Sequence, residues 1–239
     1  MIFWKSFGAS VIGPGHIADK MPNQDSWAFF HRLWGDGIVV SDGLGSKPLS
    51  DLGSRAACLA VLYAAQRFSQ NLDPDHTVLA DLIKRKWMSF LEPLDPNDCA
   101  ATCLFALRTN KGNIIVGVLG DGLAAIIKAD GTVVLLTDDK SEGFSNITIP
   151  LSKNVTVKDW QWLTLPENDC LSIVLCTDGV ADDLHNPNDF VKEFYDSYRK
   201  LSSTSASRRI RQMLENWPTP KHSDDKTIAC LFWEEMTDE

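Results

Sequence analysis

Five Asp-Gly pairs punctuate the sequence, at Asp36-Gly37, Asp42-Gly43, Asp121-Gly122, Asp130-Gly131 and Asp178-Gly179. Asp-Gly is a common turn signal, because glycine takes positive φ without steric cost and aspartate bonds its own backbone. Two pairs fit that reading: "IIKADGTVVLL" and "HRLWGDGIVV" both read as hairpins around the pair. The other three follow a different grammar. "GIVVSDGLGS", "IIVGVLGDGLAAI" and "LSIVLCTDGV" each carry an apolar, buried-looking strand out to an acid. "MPNQDSWAFF" adds Asp25 ahead of an alternating strand, "TDGVADD" adds Asp182, and "KHSDDKTIACLFW" adds Asp224 and Asp225 ahead of the last strand. Carboxylates that converge repel one another unless protons or cations sit between them. Oxygen-only donors suit hard cations, Mg2+ or Mn2+ ahead of Ca2+. Glycine after the acid also leaves a backbone carbonyl open to such an ion.

Other chemistries are less well served. There is no His-x-x-x-His pair and no C-x-x-C pair, which argues against zinc and against a thioredoxin-like motif. The six cysteines sit mostly in apolar contexts such as "CAATCLFAL" and "IVLCT", as buried free thiols of a reducing cytosol do, so the chain reads as cytoplasmic. No C-x5-R occurs, which excludes a cysteine phosphatase at the level of motif. "IVLCTDGVADD" has the apolar run and Asp-Gly of haloacid-dehalogenase enzymes, but Cys176 stands where their nucleophilic aspartate would be. A net charge of −9 without a basic stripe argues against nucleic acid as a partner. No apolar run approaches the ~20 residues of a membrane helix, and "MIFWKSFGAS" lacks the parts of a signal peptide.

Strand patterns cover about 3–12, 26–32 and 36–41. Helical spacing follows in "SDLGSRAACLAVLYAAQRFSQ", and Asp73-Pro74-Asp75 opens a second helix towards Phe90. Cys99 to Leu136 is strand-rich again, 137–155 is irregular, and "LSIVLC" is a strand. Helices over about 187–200 and 205–216 precede the closing strand "KTIACLFW". Grouped strands and grouped helices predict an α+β fold of antiparallel sheets with helices on their faces, rather than alternating βαβ units. With no repeat or linker, residues 1–239 read as one domain.

Taken in order, the motifs resemble those of the metal-dependent protein phosphatase 2C (PPM) family, in a compact bacterial form. "NQD" is similar to its Glu-Asp motif, "VSDGLGS" to DGxGG, "VLGDGLAAI" to the GDSR strand end, "LCTDGVADDL" to SDGLxD and "SDDKTIACLFW" to the DN-x-T strand. The resemblance implies a four-layer αββα sandwich: two packed antiparallel sheets flanked by helix pairs. It implies a serine/threonine phosphoprotein phosphatase that hydrolyses phosphomonoesters by in-line attack of a hydroxide bridging two Mn2+ or Mg2+ ions. Asp42 would bridge the metals and the Gly43 carbonyl would bind one of them. Asp178 and Asp224 would complete the other site, and Asp25 would hold metal-bound water. Asp121 and Asp182 match the acids of a third, looser metal site. The implied partners are a protein phosphorylated on Ser or Thr and a cognate kinase.

Three departures bear on that reading. Lys20 stands where the family usually has a phosphate-gripping Arg, and so lacks its bidentate fork. His16 lies just upstream as a possible helper. Gln24 replaces the usual Glu and removes a carboxylate, and Asp225 replaces a common Asn. These changes keep open an alternative: a catalytically weak binding or regulatory module on the same fold. Segment 138–153 resembles the family's variable flap. Thr102, Trp160 and Trp162 read as packing residues.

Overall fold

The computed structural model describes residues 2–69, 75–137, 148–219 and 223–235. Its first sheet takes the order β1 (Ile2–Val11), β10 (Lys226–Glu235), β9 (Cys170–Cys176), β6 (Leu123–Lys128) and β7 (Val133–Leu136). The second sheet runs β2 (Asp25–Arg32), β3 (Gly35–Asp42), β4 (Cys103–Thr109), β5 (Asn113–Leu119) and β8 (Gln161–Pro166). Every strand pairing is antiparallel.

The helices are grouped as the sequence predicts. α2 (Ser50–Phe68) and α3 (His76–Leu91) cover the outer face of the second sheet. α5 (Pro187–Tyr198) and α6 (Ser203–Glu215) cover the outer face of the first. The result is the four-layer αββα sandwich. Two short helices, α1 (Pro14–Asp19) and α4 (Asp178–Ala181), lie in connections that the apolar pattern leaves blank. α3 begins at its cap, where the Asp75 carboxylate accepts the Thr77 N–H; Pro74 lies outside the described residues.

Three apolar layers follow from this stacking, and they explain the strand sequences. Along β3, Ile38 and Val40 enter the layer between the sheets, while Val39 packs towards α2 and α3. Along β9, Ile173 and Leu175 face the other sheet, while Val174 and Cys176 face α5 and α6. A strand buried on both faces needs no polar alternation, so it reads as an unbroken apolar run. Trp160 is buried against Phe105, and Trp162 sits on β8, both as packing residues.

The two presumed hairpin pairs part company. Asp130-Gly131 does turn the chain between β6 and β7. Gly131 has φ +82° and its N–H donates to the Lys128 carbonyl. Asp36-Gly37 does not: Arg32 pairs with Gly35, so the turn is Leu33–Trp34 and the acid lies within β3. Its side chain is spoken for instead. One Asp36 oxygen bonds His31 Nδ1 at 2.8 Å, and the other accepts from Arg108 at 3.0 Å. Arg108 also donates to Glu167, and His31 Nε2 meets Ser6 Oγ of the other sheet at 2.8 Å. The Ser-His-Asp order is that of a hydrolytic triad, but Ser6 is only 4% exposed, within a strand ladder. The chain of bonds therefore clasps the open edges of the sandwich, β1 to β2.

Asp36→Ala strips His31 and Arg108 of a shared charged partner. The expected cost is about 2–3 kcal/mol, the value of a hydrogen bond to a charged group with its loose ends left behind. Urea unfolding would show it as a lower midpoint at unchanged slope; a loss below about 0.5 kcal/mol would make the clasp ornamental.

Candidate active site

Two ladder ends and two strand exits meet at one edge of the sandwich. Asp25 opens β2 and Asp42 ends β3, and the two are direct cross-strand partners. β9 ends at Cys176, Thr177 caps α4, and Asp178 is the first residue of that helix. Asp224 lies just before β10, which pairs with β9. Asp121 sits in the turn between β5 and β6.

The glycines that follow these acids are packing positions, not turns. A Cβ on Gly43 would lie 2.6 Å from the Ser50 carbonyl oxygen at the head of α2. One on Gly122 would lie 2.6 Å from the Cys176 carbonyl, and one on Gly179 only 1.9 Å from the Asp225 carbonyl. Real Cβ atoms do not approach that closely, so glycine is what lets the carboxylate-bearing backbones close on one another.

They close around a cleft of about 400 Å³. Asp42, Gly43, Asp121, Asp178 and Asp224 line it, together with His16 and Gln24. Asp25 stands behind Asp42, only 6% exposed. Its Oδ2 accepts from Thr177 Oγ1 at 2.8 Å and Thr227 Oγ1 at 2.7 Å. Its Oδ1 is buried with no hydrogen-bond partner among the described residues. Asp182 follows Asp178 by one helical turn and repels it. Lys20 is the left-handed C-cap of α1, exposed and outside the cleft lining.

The electrostatics record the crowding. Burial, then the charges of Asp25, Asp178 and Asp224, holds Asp42 well above the ordinary carboxylate value. Burial raises Asp178 to about 6, helped by Asp121 and Asp224. Burial raises Asp25 to about 7 against the pull of its two threonine bonds.

Three supports surround these acids, of which the sequence pointed only to Asp225, as a residue behind the site rather than a ligand. Thr102 is no mere core residue: its Oγ1 accepts the Asp42 N–H at 2.9 Å, and its own N–H donates to the Asp42 carbonyl at 2.7 Å. Asp225, 2% exposed, accepts the Gly13 N–H at 2.7 Å and the Gln24 N–H at 2.6 Å. The same carboxylate bonds His16 Nδ1 at 2.9 Å. It thus ties both ends of the α1 connection and fixes the imidazole within it. The third support is Thr148, whose hydroxyl donates to Asp121. Of segment 138–153, residues 138–147 lie outside the described residues.

The donor set is all oxygen, negatively charged and short of protons or cations, which fits hard divalent ions. Among the described residues, no three acids already form a closed cage. Mg2+ does not require one, since it keeps several waters and is held through one or two carboxylates.

The class this fold and site define is an antiparallel αββα sandwich with carboxylates gathered at one sheet edge, and comparison gives that class a family. The protein phosphatase 2C family pattern matches residues 12–215, and the chain belongs to that family. It is 23% identical to serine/threonine-protein phosphatase 3 of Escherichia coli (strain K12), over 97% of this chain and 99% of that one. A bacterial serine phosphatase superposes with a TM-score of 0.71 at 16% identity, over 99% of this chain and all of the other. The catalytic domain of the serine/threonine phosphatase PstP, solved with two manganese ions, gives 0.62 at 14% identity over 98% of this chain and 100% of that chain. Likeness at that identity speaks for the fold.

The raised carboxyls make a pH prediction for the metal-free chain. Each favours the fold when protonated, so its contribution is complete below the ordinary value of 3.8 and is lost as pH rises through about 6 for Asp178 and about 7 for Asp25. In EDTA, the melting temperature should fall between pH 5 and pH 8, and Mn2+ at pH 8 should restore it. A melting temperature in EDTA that climbs over this range would show that the acids do not crowd one another.

Proposed function

We propose that the chain, working as one domain, is a divalent-metal-dependent phosphatase acting on phosphoserine or phosphothreonine in proteins. The observation that carries the reading is the convergence of Asp42, Asp121, Asp178 and Asp224 on one cleft, with Asp25 behind them. Mn2+ or Mg2+ bound there would neutralise charge on the phosphoryl oxygens and lower the pKa of a bound water.

Each residue then has a task. Asp42, gripped by Thr102 on both its N–H and its carbonyl, would hold the ions together with the Gly43 carbonyl. Asp178 and Asp224 arrive from neighbouring strands to complete the second position. Asp25, fixed by Thr177 and Thr227, would accept from water held at that centre. Asp121 and Asp182 offer a third, looser position, and Thr148 holds the Asp121 carboxylate meanwhile.

The phosphate-gripping role falls chiefly to His16. Its Nδ1 is tied to Asp225, which leaves Nε2 for the cleft that the ring lines. A carboxylate on one ring nitrogen sets the imidazole's orientation. Lys20, one helical turn further along and exposed, contributes long-range attraction to the phosphate. Family membership and the relatives' own names support the reading. The substrate is a phosphoprotein loaded by a cognate kinase.

The first test is hydrolysis of p-nitrophenyl phosphate with Mn2+, then with EDTA. Turnover should require the metal and should fall roughly 10²–10³-fold or more in Asp42→Ala, the scale of losing a preorganised charge at the transition state. His16→Ala should cost roughly tenfold or more in kcat/KM, against about threefold or less for Lys20→Ala. A folded, Mn2+-loaded chain with no turnover would refute the enzyme reading and favour the binding module.

A further inference from the structure

A second and larger depression lies behind the cleft, and α1 is the wall between them. Gly15, His16 and Asp19 look into the cleft, whereas Pro14 and Ile17 look the other way. The far groove, about 650 Å³, is bounded by α1, the end of β1, and α6 with the chain after it. Its lining is mixed rather than plainly apolar. Ile17, 60% exposed, and Trp217 supply apolar surface, while Arg211, Lys226 and Glu215 supply charge. Lys226 is engaged with the Asp224 carbonyl, and Trp217 donates to Asp183. Arg211 is exposed, and among the described residues it enters no ion pair. On a chain with a net charge of −9 it leaves a positive charge facing this groove.

We propose that this groove seats the stretch of a phosphoprotein that flanks the phosphorylated residue, with an acidic side chain on Arg211 and an apolar one against Ile17 and Trp217. The proposal rests on the phosphatase reading of the cleft. The shared wall sets the spacing. A helix with its side chains is about 10 Å across, and an extended chain advances about 3.3 Å per residue. The acidic residue therefore falls about three positions from the phosphoserine. A substrate laid over α1 would place its phosphate by His16 and its flank by Arg211 at once. Glu215, on the same lining, disfavours a second acidic residue and sharpens the choice of position.

The test compares phosphoserine peptides carrying Glu, Ala or Lys three positions from the phosphate, on either side, with the wild type and Arg211→Glu. The wild type should show a KM about fivefold lower for one of the Glu peptides than for its Lys counterpart, the scale of an exposed ion pair. Arg211→Glu should invert that preference and leave p-nitrophenyl phosphate kinetics unchanged, because the small substrate does not reach the groove. Equal KM values for Glu and Lys peptides, or a preference that Arg211→Glu does not alter, would overturn the proposal while the phosphatase reading stood. If p-nitrophenyl phosphate itself were not hydrolysed, the phosphatase reading would fall separately. Fluorescence polarisation of the same labelled peptides would then decide the groove, upheld by an Arg211-dependent preference and refuted by none.

Discussion

The structure depends on like charges held where they repel. Asp42 and Asp178 sit at the mouth of a cleft with Asp121 and Asp224, and Asp25 is buried behind them. Nothing local favours this; burial and mutual repulsion both push Asp42 and Asp178 upward. The arrangement persists because the deepest of these acids are fixed by residues far from them in sequence. Asp42 is held by Thr102, and Asp25 by Thr177 and Thr227. The three following glycines let the backbones of Ser50, Cys176 and Asp225 come close enough to make the cluster one site. A cluster that is strained without cations is, by the same electrostatics, one that binds them.

The two sheets provide the rigid frame this requires. β3 and β9 are buried on both faces, so they cannot slip in register without placing every side chain wrongly. Their ends therefore lie at fixed points, and a carboxylate on such an end, as Asp42 is, or two residues beyond it, as Asp178 is, inherits that precision. The far end of the second sheet is closed by different means, through Asp36, Arg108, His31 and Ser6. An acid in the same Asp-Gly wording thus serves stability at one end and the cleft at the other. Its place on the strand decides which: Asp36 has strand neighbours on both sides, whereas Asp42 is the last residue of its ladder with β2.

Antiparallel sheets with grouped helices were legible in the sequence because strands leave long apolar runs, three of which end on acids of the site; the four-layer sandwich was legible only through the resemblance to the family. Asp42, Asp121 and Asp178 could be picked out as the ends of such runs and Asp224 as an acid ahead of one, and the four do share one cleft. Asp36-Gly37 misled because the dipeptide suits a turn and a strand interior alike, and only the register, Arg32 with Gly35, separates them. α1 was invisible because a single turn and a half that begins Pro-Gly carries no periodic signal. Thr102 and Asp225 were undervalued for a different reason. Their partners lie 60 and more than 200 residues away, and no window along the chain contains both ends of such a bond.

The replacement of the family's common Asn by Asp225 connects these points. An amide there could accept a bond from His16 but would bring no charge to it. The carboxylate accepts from Gly13 and Gln24 and still bonds the imidazole. It pins the α1 connection at both ends, and so fixes the helix whose two faces look into the cleft and into the groove. Where the usual arginine is absent and Lys20 stays in solvent, a histidine held by that aspartate is the group whose position the fold determines. The departures from the family pattern at Lys20 and Asp225 are in this sense one change. On the proposed function, the contact with phosphate would move from a long cation on the loop to a ring bonded to Asp225 at the final strand's entrance.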